Sequence, residues 1–153
     1  MGQAQVSEGG CRCGQVRFRL TAPPLMESLC HCSGCRRMTA SAFSTTISVP
    51  TGGFELISGD PEIGGVHGTE AHHHHCPWCK SWVFTKVDPG MGFVNVRATL
   101  LDDPRGFSPY VEMQVAEKLP WVETRVERRY DRFPQLAEYP ALIADYTAWR
   151  VGR

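Results

Sequence analysis

The seven cysteines of this 153-residue chain are grouped, not scattered: Cys11 and Cys13 in CRC, Cys30, Cys32 and Cys35 in CHCSGC, and Cys76 and Cys79 in CPWC. Two thiolates one or three positions apart can both turn toward a single ion. A soft thiolate set without a supporting carboxylate cluster selects zinc over harder cations. The odd count argues against a pure disulfide framework, and a chain of this length has no need of one. Metal ligation is the primary reading; a redox dithiol or an iron–sulfur centre are the other chemistries such spacing serves. CHCSGC carries three thiolates within six residues and can form a trio alone, whereas CRC and CPWC are pairs that need partners from elsewhere. The simplest partition gathers Cys11, Cys13, Cys76 and Cys79 around one zinc and Cys30, Cys32 and Cys35 around another. Four sulfurs close a tetrahedral site and stabilise a fold, whereas three leave a position open for water or substrate.

Other chemistry-bearing residues stand beside these motifs. His31 lies between two ligand positions, but alternation in an extended segment turns it to the other face, toward solvent or behind the ligands. In the run His72 to His75, an incoming strand points His73 and His75 one way and His72 and His74 the other, so about two at most reach one ion. A polar strand end is the plainer reading. Trp78, Trp82 and Phe84 shield the closed site or pack in the core. Asp102 and Asp103, adjacent before Pro104, read as a turn and not as a general acid and base.

The elements that must position these groups are mainly strands. Val16–Leu20, Phe43–Val49, Phe54–Ile57, Trp82–Val87, Gly92–Leu100 and Val111–Val115 are strand-length runs, punctuated by turns at Pro50–Gly53, Ser58–Pro61 and Asp88–Gly92. That pattern predicts an antiparallel β architecture. After Trp121 it changes: Leu142, Tyr146 and Trp149 form the stripe of an amphipathic helix starting after Pro140. Length and a composition of 42% hydrophobic and 21% charged residues suit one globular domain over 1–153. Apolar runs fall far short of the roughly 18 to 20 residues that span a bilayer, and MGQAQVSEGG lacks the layout of an export signal, so a cytoplasmic protein without a membrane partner is expected. Lys plus Arg and Asp plus Glu number 16 each with no like-charge run, which leaves no electrostatic footprint for nucleic acid.

GGCRCGQVRF at Gly9–Phe18, CHCSGCRRMTASAF at Cys30–Phe43 and CPWC together resemble the glutathione-dependent formaldehyde-activating enzyme family, also called the GFA or CENP-V family. LISGDP at Leu56–Pro61, TLLDDP at Thr99–Pro104 and LPW ending at Trp121 add to the similarity, which covers about positions 8–122 and leaves 123–153 as an extension carrying the helix. The resemblance implies a β-tent fold with two zinc ions, a structural one on Cys11, Cys13, Cys76 and Cys79 and a catalytic one on Cys30, Cys32 and Cys35. It implies a carbon–sulfur lyase that joins a thiol such as glutathione to formaldehyde or a related aldehyde, giving S-hydroxymethylglutathione. Beside the trio, Arg36 and Arg37 can neutralise a three-thiolate zinc site or hold a glutathione carboxylate, or are equally surface arginines, and Ser33, Thr39 and Ser41 can donate to sulfur or substrate but are equally ordinary turn residues of a helix start. Two positions depart from the family, which usually has Gly after the last CxxC cysteine and in the stretch after CRR. Here they hold Lys80 and Ala40, and a left-handed backbone at either costs on the order of 1 kcal/mol. The competing readings are a zinc-stabilised binding module without catalysis and a thiol redox protein.

Overall fold

The computed structural model describes residues 5–66, 68–87 and 89–153. Its strands are β1 (Ser7–Gly10), β2 (Arg17–Leu20), β3 (Met26–Cys30), β4 (Ser44–Pro50), β5 (Phe54–Ser58), β6 (Glu62–Ile63), β7 (Ala71–His75), β8 (Trp82–Val87), β9 (Phe93–Arg97), β10 (Val111–Met113) and β11 (Arg128–Arg129). Helix α1 (Ser33–Thr39) follows β3, and helix α2 (Tyr139–Val151) closes the chain. The protein is thus mostly β, with two sheets and a C-terminal helix. Among the described residues no helix is long and apolar enough to cross a membrane.

The chain folds as two compact units, one from the segment up to Pro24 with Ile47–Phe107, the other from Leu25–Thr46 with Ser108–Arg153. In the first unit, β1, β2 and β5 form an antiparallel three-stranded sheet. Strand β2 shows why: Phe18 and Leu20 point inward, while Arg17 and Arg19 point outward and pair with Glu8, Glu55 and Asp102. Strands β4, β9, β8, β7 and β6 neighbour one another in that order. Trp82 to Thr85 are buried in succession, as a strand covered on both faces requires. Val16, Phe18, Val49, Val83, Phe84, Val94 and Val96 form this unit's core.

In the second unit the strand order is β11, β10, β3, β4, and β10 runs parallel to both β3 and β11. The antiparallel expectation therefore holds for β1–β2, β2–β5, β6–β7, β7–β8 and β8–β9 but not for these two pairs. Strand β3 was not anticipated, because MESLC does not alternate: Glu27 and Ser28 are buried along with Met26 and Leu29. Two expected strands end early. Ala98–Leu100 tightens into a 3-10 turn, and Gln114 adopts φ 57, which stops β10 at Met113. Of the expected turn Asp88–Gly92, Asp88 lies outside the described residues, Pro89–Met91 forms a 3-10 turn and Gly92 has φ 72.

Helix α2 follows the expected stripe. Leu142 and Tyr146 are buried against Met26, Tyr110, Val111 and Met113, with Trp149 packed alongside. Each such apolar side chain contributes roughly 1.5–3 kcal/mol. The Tyr146 hydroxyl donates to Glu27 Oε2 at 3.1 Å. Burial pushes the Glu27 carboxyl above its ordinary value, outweighing the Tyr146 hydrogen bond and the nearby charges of Arg150 and Arg153. A carboxyl raised in the folded state favours folding while protonated, so stability is lost as pH rises from the ordinary carboxylate range through the folded value. Glu27→Gln should accordingly match wild type near about pH 4 and gain on it as pH approaches about 8 in urea melts, whereas parallel stability curves would refute this account.

Candidate metal centres

The first thiol group is assembled from the tips of two hairpins. Between β1 and β2 the Cys11 amide donates to the Val16 carbonyl and the Gly14 amide to the Cys11 carbonyl, both at 3.0 Å. Gly14 has φ 82, a conformation that favours a residue without a Cβ. This turn sends Cys11 and Cys13 to one side, with their Sγ atoms 3.5 Å apart. Between β7 and β8 the Cys76 amide donates to the Ser81 carbonyl and the Lys80 amide to the Cys76 carbonyl, again at 3.0 Å. That turn presents Cys76 and Cys79, and Cys13 Sγ lies 3.7 Å from Cys76 Sγ. All four sulfurs lie within 4.8 Å of one another.

These separations fit a metal and not disulfides. A tetrahedron with Zn–S of about 2.3 Å places its sulfurs about 3.8 Å apart, whereas a disulfide requires about 2.05 Å. The surroundings stabilise thiolate. The Val16 amide donates to Cys11 Sγ at 3.3 Å, and Ser81 Oγ, itself an acceptor for the Arg12 amide, lies 3.2 Å from Cys79 Sγ. Burial works to raise Cys79, yet the Ser81 hydroxyl and amide and the neighbouring cysteines bring it down to about 5. The Gln15 backbone works to lower Cys13, but desolvation and the adjoining thiols push it up to about 11. Thiols this crowded ionise together only beside a cation. Cys11 and Cys76 are buried, which suits a closed centre.

The second group is built at a strand-to-helix junction. Cys30 ends β3, Cys32 caps the N-terminus of α1, and Cys35 stands in its first turn. Cys32 Sγ accepts the Cys35 amide at 3.3 Å. The three sulfurs lie within 4.8 Å of one another and are half-buried. Cys30 is raised above the ordinary thiol value by its hydrogen bond with Cys35 and by burial, and Cys32 chiefly by burial, again the behaviour of thiols short of a cation. No fourth donor joins them among the described residues, so each group could hold a metal ion, one with four donors and one with three.

Around the trio, Arg36 donates to the Glu117 carbonyl at 3.4 Å. Arg37 is exposed, with no hydrogen bond or ion pair among the described residues. Thr39 Oγ1 donates to the Cys35 carbonyl at 2.8 Å, a helix-end contact, and the Ser33 amide donates to Glu117 Oε1 at 3.2 Å. His31 is not solvent-facing. It is fully buried, with Nε2 2.8 Å from Glu112 Oε2 and its ring edge against Phe43. Glu112, which sequence reasoning missed, is itself fully buried and bonded to Thr124, Lys118 and Arg129. A charged residue inside the apolar run V-E-M was the available signal.

The remaining candidates serve structure. His73 hydrogen-bonds with Thr85 at 2.9 Å, and His74 stacks on Phe84 at 4.5 Å, where burial and Lys86 lower it to about 4. A bulge between His74 and His75 breaks the expected alternation, and among the described residues the histidines join no metal-binding group. Trp82 and Phe84 pack in the core, but Trp78 is 74% exposed and does not. Asp102 pairs with Arg17 and Asp103 with Arg105, as turn residues.

Ala40, at the end of α1, has φ 50, and Lys80, after the last ligand cysteine, has φ 61. Both are thus left-handed at the very positions where glycine was expected. Ala40→Gly should relieve up to about 1 kcal/mol and raise the melting temperature by roughly 2–4 °C. Lys80→Gly should gain less, because it loses the exposed ion pair of Lys80 with Glu62. Thermal melts that fall on both substitutions would show that the strain is absent.

The glutathione-dependent formaldehyde-activating enzyme family model matches residues 6–117. A Halomonas elongata protein whose name places it provisionally among these enzymes is 32% identical, over 95% of this chain and 96% of the relative. A crystal structure of a Rhodobacter sphaeroides protein, 20% identical, superposes with a TM-score of 0.52 over 64% of this chain and 92% of its own, a likeness of fold. With the family model spanning most of its length and a relative matched almost end to end, the chain belongs to the glutathione-dependent formaldehyde-activating enzyme family.

Proposed function

We propose that the protein is a zinc-dependent carbon–sulfur lyase that joins a thiol, glutathione in the first instance, to formaldehyde or a related aldehyde. The observation that carries this reading is the three-donor thiol group: half-buried, without a fourth protein ligand among the described residues, and with His31 turned away to Glu112. Cys11, Cys13, Cys76 and Cys79 hold a structural zinc, and Cys30, Cys32 and Cys35 hold the catalytic one. Bound there, zinc supplies the Lewis acidity that favours a thiolate at neutral pH.

The chain's own residues do the rest. The Cys35 amide, directed at Cys32 Sγ, disperses negative charge that three thiolates would otherwise concentrate. Arg37 offers an exposed guanidinium, unpaired among the described residues, for bidentate capture of a glutathione carboxylate, while Arg36, tethered to the Glu117 carbonyl, adds positive charge beside it. Held in this way, the thiol sulfur attacks the aldehyde carbon. The carbon–sulfur bond forms as the carbonyl π bond opens, and the thiol proton ends on the new hydroxyl. The aldehyde is small and unhindered, so proximity and a prepared thiolate are the main requirements.

Elemental analysis of protein purified without nickel resin should find two zinc ions per chain. Cys35→Ser should lose one of them and the lyase activity while keeping the far-ultraviolet circular dichroism of wild type. A single zinc in the wild-type chain would overturn the assignment. Arg37→Ala should raise the KM for glutathione several-fold with little change in kcat, consistent with the loss of one exposed carboxylate contact.

A further inference from the structure

His31 sits between two thiol-bearing residues without serving as a donor, and the way it is held is unusual. Its ring is completely buried, and Glu112, 2.8 Å from Nε2, is completely buried as well. Glu112 also accepts from Thr124 Oγ1 at 2.6 Å and Lys118 Nζ at 3.0 Å and forms an ion pair with Arg129, Nε to Oε1 2.8 Å, and Lys118 donates to Thr124 at 2.8 Å. A buried carboxylate with this many partners stabilises a fold no better than well-packed apolar residues do. Nδ1 of His31 is buried without a hydrogen-bond partner among the described residues, a further loss of stability. The arrangement thus calls for a role other than stability.

Its geometry supplies one. Strand β10 grips the segment between Cys30 and Cys32 at two points: the His31 amide donates to the Met113 carbonyl at 3.1 Å, and the His31 ring meets Glu112, the residue before Met113. Cys30 is also the register partner of Met113. With residue 31 held by backbone and side chain, the backbone on either side is held too, and with it the direction in which the Cα–Cβ bonds of Cys30 and Cys32 leave the chain. We propose that the His31–Glu112 pair is a positioning device that presets the Cys30 and Cys32 thiols and thereby sets the metal affinity of the trio. The inference rests on the reading of Cys30, Cys32 and Cys35 as a zinc site.

The test uses the full-length zinc-loaded chain and competition with a chromophoric chelator, which reads the two zinc affinities separately. The four-cysteine centre serves as the internal standard. Glu112→Gln and His31→Gln should weaken the trio's zinc by about 10–100-fold and leave the four-cysteine zinc unchanged. Equal weakening at both centres, or no change at the trio, overturns the proposal. If either variant fails to fold, Thr124→Val removes a single hydrogen bond to Glu112 and should shift the trio alone in the same direction by a smaller factor; an unchanged trio there is equally fatal. Wild-type protein that holds two zinc ions without lyase activity sinks the proposed function and spares this inference. Unchanged trio affinity in variants of an active enzyme does the reverse, and a wild-type chain with one zinc overturns both.

Discussion

Thiols brought within 4.8 Å of one another, as in both cysteine groups here, repel strongly once ionised and gain little from one another while neutral. That constraint governs the rest of the structure. Crowding adds to desolvation in pushing Cys13 up to about 11, whereas Ser81 and the neighbouring cysteines bring Cys79 down to about 5 against its burial, and only a cation allows all of them to ionise together. The hydrogen bonds from the Val16 and Cys35 amides to sulfur lower the cost of that negative charge but do not remove it. The donor sets fit zinc in number, softness and spacing.

Each compact unit carries one thiol group, and the local scaffolds differ in a way that matches their chemistry. Two hairpin tips supply paired cysteines from segments more than sixty residues apart, so four donors surround the ion and cross-link distant parts of one unit. A strand end running into a short helix supplies three donors within six residues, with no fourth donor among the described residues. Arg37, two positions after Cys35, is exposed.

Local strain and buried charge collect next to these groups. Ala40 and Lys80 hold left-handed backbone at the end of α1 and directly after Cys79. Each of these turns is completed by an amide, Ser41 to the Arg36 carbonyl and Lys80 to the Cys76 carbonyl, so the conformation is imposed by the turn rather than chosen by the residue. The Glu112 cluster is the corresponding feature of the interior, a carboxylate on β10 whose partners come from His31 after β3, from the segment after β10 and from β11.

Both thiol partitions were legible from spacing, because CxC, CxxC and CHCSGC constrain which sulfurs can meet regardless of the surrounding fold. The helix stripe of Leu142, Tyr146 and Trp149 and most strand positions were legible too, since apolar periodicity is a local property. Strand β3 and its parallel pairing were not: burial of Glu27 and Ser28 depends on Tyr146 and on β10, which lie far along the chain. For the same reason His31 read as solvent-facing or behind the ligands, although its environment is fully closed by Glu112 and Phe43. The sequence by itself determined which donors exist and how they divide, because ligand chemistry and short-range spacing are written in adjacent residues. Only the tertiary structure decided which polar side chains are buried and what holds the trio in place, because those contacts join residues separated by some eighty positions.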